Sequence, residues 1–281
     1  MTLSDARLRE LAERLAKVPG VVGVVLGGSR ARDEHTPESD TDLGLYYRQP
    51  LDVVALGALA REVAGPTGLV TEPGEWGPWV DGGGWLTVDG AAVDWIYRDL
   101  DRVETAWRDA ERGEYTFHAQ AGHPLGVPDF AYPGELALGV ILADPGGELA
   151  TLQRRTRAYP PALGERLVAG LWEADFLAGL ARKAVSRGDS AYLAGCLFRL
   201  VGVCAHALHG AAGRWLVNEK GAVASAAALP GAPERFKQRV DAIFASVDGD
   251  PLHLTAAIDA AADLTLDTAD ACAMMAPDPS L

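Results

Sequence analysis

The sequence predicts an α/β (α+β) domain built on a short mixed sheet, followed by a second domain that is an all-α helical bundle. Three observations carry this expectation. Strand-like apolar runs are confined to the first hundred residues, at 21–26, 43–47 and 85–97. Helical patterning dominates from residue 135 onward. Between them, residues 113–134 read as a connector, with Gly122-His123-Pro124, Pro128 and Tyr132-Pro133-Gly134. The boundary is therefore expected near residue 130, giving units 1–130 and 131–281.

Each element has its own reason. Ser4 is suited to cap a helix from Ser4 to Lys17, with Leu8, Leu11 and Leu15 on one face. The run VVGVVL at 21–26 reads as a strand, and it meets the small turn Gly27-Gly28-Ser29-Arg30. A second strand at 43–47, a helix at 53–63 and a short strand near 68–71 follow. Residues 85–97 read as a hairpin about Asp89-Gly90, the pair that suits a type I′ turn. A helix is expected at about 100–111. Past the connector, helices are expected at 135–143, 163–185, 190–209, 218–228, 233–246 and 251–275, each ended by a Gly- or Pro-containing breaker or a short polar turn.

The chemistry concentrates between Val21 and Trp95. Gly27 and Gly28 carry no Cβ, so a phosphate can approach the backbone there. The Ser29 hydroxyl and a helix opening at Arg30 would add donors. Asp40 and Asp42 are two positions apart in Ser39-Asp40-Thr41-Asp42-Leu43, so an extended chain points both carboxylates to one face. Hard oxygen donors on one face suit Mg²⁺, singly or as a pair. Asp94 sits mid-strand between Val93 and Trp95, where a buried charge costs several kcal/mol unless paired or metal-bound. Two roles are open to it: third metal ligand, or general base toward an acceptor hydroxyl.

Gly28-Ser29, Ser39-Asp40-x-Asp42-Leu43 and Val93-Asp94-Trp95 together resemble the core of the DNA polymerase beta-like nucleotidyltransferase superfamily. The resemblance is to its small bacterial branch, which includes the aminoglycoside and lincosamide nucleotidyltransferases, and it covers roughly residues 20 to 100. It implies a metal-bound NTP and transfer of a nucleoside monophosphate, AMP from ATP, to a hydroxyl of a small-molecule acceptor such as an antibiotic, with release of pyrophosphate. Gly28, Ser29 and Arg30 would then contact the nucleotide, Asp40 and Asp42 would hold metal, and Asp94 would be the third carboxylate. Lys220 resembles a lysine that such enzymes bring from their helical domain to the triphosphate, and it reads equally as an ordinary exposed lysine. Two further readings stand beside this one: a protein adenylyltransferase of the antitoxin type, and a nucleotide-binding regulator without catalysis.

Composition narrows the partners. A net charge of −14, from 25 basic and 39 acidic residues, should repel a polyanion, which disfavours a nucleic-acid substrate and suits a small or cationic acceptor. No run of 18 apolar residues suggests a membrane span, and the amphipathic N-terminal segment does not read as a signal peptide, so a cytoplasmic setting is expected. Cys196, Cys204 and Cys272 lack metal-type spacing and suit reduced thiols packed in a core. In the helical half, Arg199 is expected to face Glu173, Asp175 or a phosphate, and His206 to be a core histidine. Trp76, Trp79 and Trp85 either line an acceptor pocket or pack in the core.

Overall fold

The computed structural model describes residues 3–31 and 40–275; Ser39 of the acidic motif falls outside them. The chain divides into two units. The first runs to Asp109 and resumes at Thr116–Ala158, and the second combines Ala110–Tyr115 with Tyr159 onward.

The first unit contains α1 (Asp5–Leu15), β1 (Val21–Leu26), the single turn α2 (Gly28–Ala31), β2 (Thr41–Tyr47), α3 (Val53–Ala64), β3 (Gly83–Val88) and β4 (Ala91–Asp99). It continues with α4 (Leu100–Glu111), whose last turn passes into the second unit, then β5 (Phe117–Gln120), β6 (His123–Pro128), α5 (Ala131–Leu138), β7 (Val140–Ala143) and α6 (Glu148–Thr156). Five strands form one sheet in the order β3-β4-β2-β1-β7, and β5 and β6 form a separate hairpin. Among the described residues of this sheet only β2 and β4 pair in parallel; the other neighbours are antiparallel.

The local rules explain most of these elements. The Ser4 side chain accepts the Arg7 N–H at 3.3 Å, capping α1 and leaving Leu8, Leu11 and Leu15 buried on one face. Asp89 and Gly90 both have positive φ, 50° and 78°, as a type I′ turn requires, and β3 and β4 pair out from it. Strand alternation sends Leu43, Leu45 and Tyr47 of β2, with Val93, Trp95 and Tyr97 of β4, into a core shared with Leu8, Leu11 and Leu15 of α1 and Leu56 and Ala60 of α3. Each such leucine contributes about 1.5–3 kcal/mol by leaving water.

Several expectations are corrected. Residues 68–71 form no strand: the chain passes beside β3 but gives it one backbone bond, from Thr71 N–H to the Gly83 carbonyl. The expected connector at 113–134 is ordered as β5, β6 and the start of α5. The helix expected at 135–143 stops at Leu138, because Val140–Ala143 is captured by the edge of β1 as a fifth strand. Gly139 makes that possible: a Cβ there would stand 2.4 Å from Val25 Cγ1. Gln153 of α6 then donates to the Leu136 and Gly139 carbonyls at 2.8 and 2.9 Å. These contacts draw residues 131–158 into the first unit, so the division falls after Ala158 rather than near 130.

The second unit comprises α7 (Pro161–Ala169), α8 (Trp172–Val185), α9 (Ser190–Ala211), α10 (Ala222–Ala227), α11 (Phe236–Ala245) and α12 (Pro251–Met275). The single helix expected at 163–185 is broken at Gly170-Leu171, where the Gly170 N–H caps α7 by donating to the Arg166 and Leu167 carbonyls. α9 is long and apolar enough to cross a membrane, yet more than half of its most apolar stretch is buried. Its Leu193, Leu197, Leu200 and Cys204 pack with Ala174, Ala178 and Ala181 of α8 and with Leu254, Ile258 and Leu264 of α12, as a core helix would. All three cysteines are free and buried. His206 is buried in α9, where loss of solvent pushes it down to about 3 and keeps it neutral.

On the sheet face opposite the core, Arg98 of β4 is only 6% exposed. Its Nε and Nη2 donate to the two carboxylate oxygens of Glu135 at 2.6 and 3.0 Å, and its guanidinium lies 4.7 Å from the Tyr132 ring centre. This fork clamps α5 onto β4. Glu135→Ala would leave a buried guanidinium without its counter-charge. It should lower unfolding free energy by about 2–3 kcal/mol, somewhat below a fully buried pair because Glu135 keeps part of its surface in water. Chemical denaturation of the two proteins measures this.

Candidate active site

The parallel pairing of β2 and β4 fixes the site. Their register sets Thr41 beside Val93, Asp42 beside Asp94 and Leu43 beside Trp95. Leu43, Val93 and Trp95 are buried in the core, with Trp95 fully so. Period-two alternation therefore turns Asp42 and Asp94 together onto the opposite face, on strands about 4.8 Å apart. Slipping either strand by one residue would bury a carboxylate and expose a core side chain. The apolar pattern thus aims the acidic pair.

Asp94 shows the cost of that aim. Burial, followed by the charges of Asp42 and Asp40, pushes its carboxyl up to about 6. Asp40 lies just ahead of β2 and is exposed. Among the described residues, no group of three His, Cys, Asp or Glu side chains stands close enough to enclose a metal ion. The donor chemistry is nevertheless that of a hard divalent cation: two carboxylates abreast, a third within electrostatic reach, and one of them reluctant to hold its charge unneutralised.

The Gly27-Gly28-Ser29 turn closes over the same point. Gly27 N–H donates to the Asp42 carbonyl at 2.9 Å. Gly28 has φ +62°, and a Cβ on it would lie 1.8 Å from Asp42 Oδ2, so only glycine fits. Ser29 follows, partly buried, in the one-turn α2. Arg30 is committed elsewhere: Nη1 donates to Thr41 Oγ1 at 2.7 Å and Nη2 to the Leu3 carbonyl at 3.1 Å, tying α2 to the start of β2.

The remaining candidates separate. Lys220 is exposed in the second unit, on the turn before α10, where its backbone N–H donates to Asn218 Oδ1 at 2.8 Å. In that unit Glu173 accepts from Arg199 Nε at 2.7 Å and Nη2 at 3.2 Å, the structural pairing expected for that arginine. Glu135 is held by Arg98. Trp79 is stacked 4.0 Å from His118 and 5.1 Å from Tyr132. Trp85, by contrast, is 71% exposed and stands directly across from Asp94. That juxtaposition was available from the hairpin, since a two-residue turn at 89–90 pairs 85 with 94. The parallel partnership of β2 with β4 had no comparable local signal.

Comparison with known proteins follows the same region. Residues 8–68, which include Gly28, Ser29, Asp40 and Asp42, match the family model described as the nucleotidyltransferase domain. No curated protein matches the chain. Among solved structures it is similar to a nucleotidyltransferase-like protein from Exiguobacterium sibiricum 255-15, with 12% identity and a TM-score of 0.48, over 96% of this chain and 77% of that one.

Two outcomes test this geometry. Gly28→Ala should displace Asp42 and strain the turn, lowering both the thermal midpoint and the stabilisation that added Mg²⁺ gives the protein, as read by thermal melts with and without the ion. For Asp94, the folded value is raised above the unfolded one. Its favourable contribution is therefore full below the ordinary carboxylate range and lost as pH rises through about 6. In metal-free buffer Asp94→Asn should melt above wild type at pH 8, and the advantage should shrink as pH falls toward 5. An advantage that stays constant across that range overturns the assigned repulsion.

Proposed function

We propose, on the premise that the N-terminal unit of this chain is a nucleotidyltransferase domain, that the protein uses Mg²⁺ to transfer AMP from ATP to a hydroxyl of a small-molecule acceptor. An antibiotic is the acceptor class we favour, and pyrophosphate is the other product. A nucleoside triphosphate substrate follows from the domain itself. The observation that carries the finer reading is the row formed by the Gly27-Gly28 turn, Asp42 and Asp94 across neighbouring strands.

Asp40 and Asp42 would hold the metal, with Asp94 either the third ligand or the base, and the metal when bound neutralises charge on the phosphates and on the group in flight. Phosphate oxygens would meet the Ser29 hydroxyl and backbone N–H groups of the turn at Gly28-Ser29, beside the Asp42 carboxylate that the missing Gly28 Cβ admits. As the base, Asp94 would accept the proton of the acceptor hydroxyl. In the metal-free protein, burial and then the charges of Asp42 and Asp40 push its carboxyl up to about 6, and a cation held by those neighbours would draw it down again. The net charge of −14 favours a small acceptor over a polyanion.

Asp42→Asn should abolish Mg²⁺-dependent pyrophosphate release across a panel of NTPs and acceptors while the protein stays folded. Asp94→Asn should slow transfer by about a hundredfold or more with Mg·ATP binding kept within about tenfold of wild type. Collapse of nucleotide binding along with transfer would make Asp94 chiefly a metal ligand, and unchanged turnover in Asp42→Asn would overturn the reading.

A further inference from the structure

Beyond the carboxylate row, the same sheet face carries a feature that folding does not require. Trp85 on β3 is the cross-strand partner of Asp94, and Gly83 is the partner of Ile96. Alternation places Gly83, Trp85, Asp94 and Ile96 on one face. Gly83 has φ +153°, and a Cβ there would lie 1.9 Å from the Trp95 carbonyl oxygen, so the backbone requires glycine; the Trp76 ring edge also lies close, with Cη2 2.9 Å from that position. Trp76 stacks on Trp85, with ring centres 4.4 Å apart and planes 14° from parallel. One indole is thus used to hold another flat and still, with most of the second exposed to solvent beside the proposed base. Large exposed aromatics braced in this way are characteristic of binding surfaces rather than cores.

We propose that the Trp76–Trp85 stack is the acceptor platform of the transferase, and that it seats a saturated, polyhydroxylated ring by its C–H face; this rests on the reading of the carboxylate row given above. The side of the row decides the occupant. The glycine turn that would hold the triphosphate flanks Asp42, whereas Trp85 flanks Asp94, about three strand spacings or 14 Å from β1. Transfer at the α-phosphorus is an in-line displacement: the acceptor oxygen forms its bond as the bond to pyrophosphate breaks, pyrophosphate leaves with the electron pair, and the hydroxyl proton passes to Asp94. With the leaving group toward the turn, the nucleophile enters from the Trp85 side. A ring lying flat on the indole directs its rim hydroxyls outward, toward the neighbouring strand that carries Asp94. Glu75, exposed beside Trp76, makes the same edge unfavourable for phosphate.

The test uses the full chain and its Trp85→Ala and Trp85→Phe variants, titrated calorimetrically with kanamycin A, lincomycin and maltotriose as ring probes, and separately with Mg·ATP. Wild type should bind at least one probe without nucleotide. Trp85→Ala should weaken that binding about tenfold or more, Trp85→Phe should recover much of it, and ATP affinity should change less than about threefold. Because Trp85 is exposed, thermal midpoints of the three proteins should agree closely. Failure of wild type to bind any probe, loss of ATP affinity in step with ring affinity, or equal binding by Trp85→Ala overturns the platform. Ring binding that depends on Trp85, in a protein that releases no pyrophosphate from any NTP, would instead overturn the transferase reading and leave the platform standing.

Discussion

Everything functional in the first unit depends on one parallel pairing, that of β2 with β4. Parallel neighbours cannot be joined by a tight turn, so this contact closes a long loop and must be held by burial. Leu43, Leu45, Val93 and Trp95 supply that burial. The acidic pair is then a by-product of packing in the mechanical sense: the force that buries the alternate residues points Asp42 and Asp94 upward together. Their mutual repulsion is a local strain borne by a core many times stronger.

The rest of the upper face divides its labour along β4. At one end of the strand, Asp94 is kept open to the solvent side. Two and four residues on, Ile96 and then Arg98 lead under α5, where Glu135 and Tyr132 close over the guanidinium. A single strand therefore carries both Asp94 of the acidic pair and the ion pair that fastens α5 to the sheet. Arg30 performs a related service from the other flank, bracing the one-turn α2 against Thr41 and so holding Gly28 close against Asp42. Neither arginine has to touch a substrate to matter for geometry.

Local chemistry made much of this legible in advance. The capped helix at Ser4, the hairpin at Asp89-Gly90, and the strand run before Gly27-Gly28 are written in nearest-neighbour terms, and the structure has them where they were expected. The acidic residues were identifiable because charges inside apolar strands are costly and need a reason. What stayed hidden was long-range. Val140–Ala143 is too short and too apolar to distinguish a helix end from a strand, and only the free edge of β1 decides the matter. The domain division moved with it. The bonds that tie Arg30 to Leu3 and Thr41 likewise had no signal in the sequence.

The sheet order has a consequence for how such a molecule can change. β3 is an edge strand, with a strand on one side and only the Thr71 backbone bond on the other, whereas the strands carrying Asp42 and Asp94 lie inside. Side chains on an outer strand can be exchanged without disturbing the ladder beneath, provided the turn at Asp89-Gly90 keeps its length. Position 85 can accordingly be redrawn by single substitutions while position 94 is shielded from them. Inserting one residue in the turn, by contrast, would rotate the entire outer strand and present a different set of side chains at once. The architecture separates a part that must stay constant from a part free to diversify, and joins them through two residues of loop.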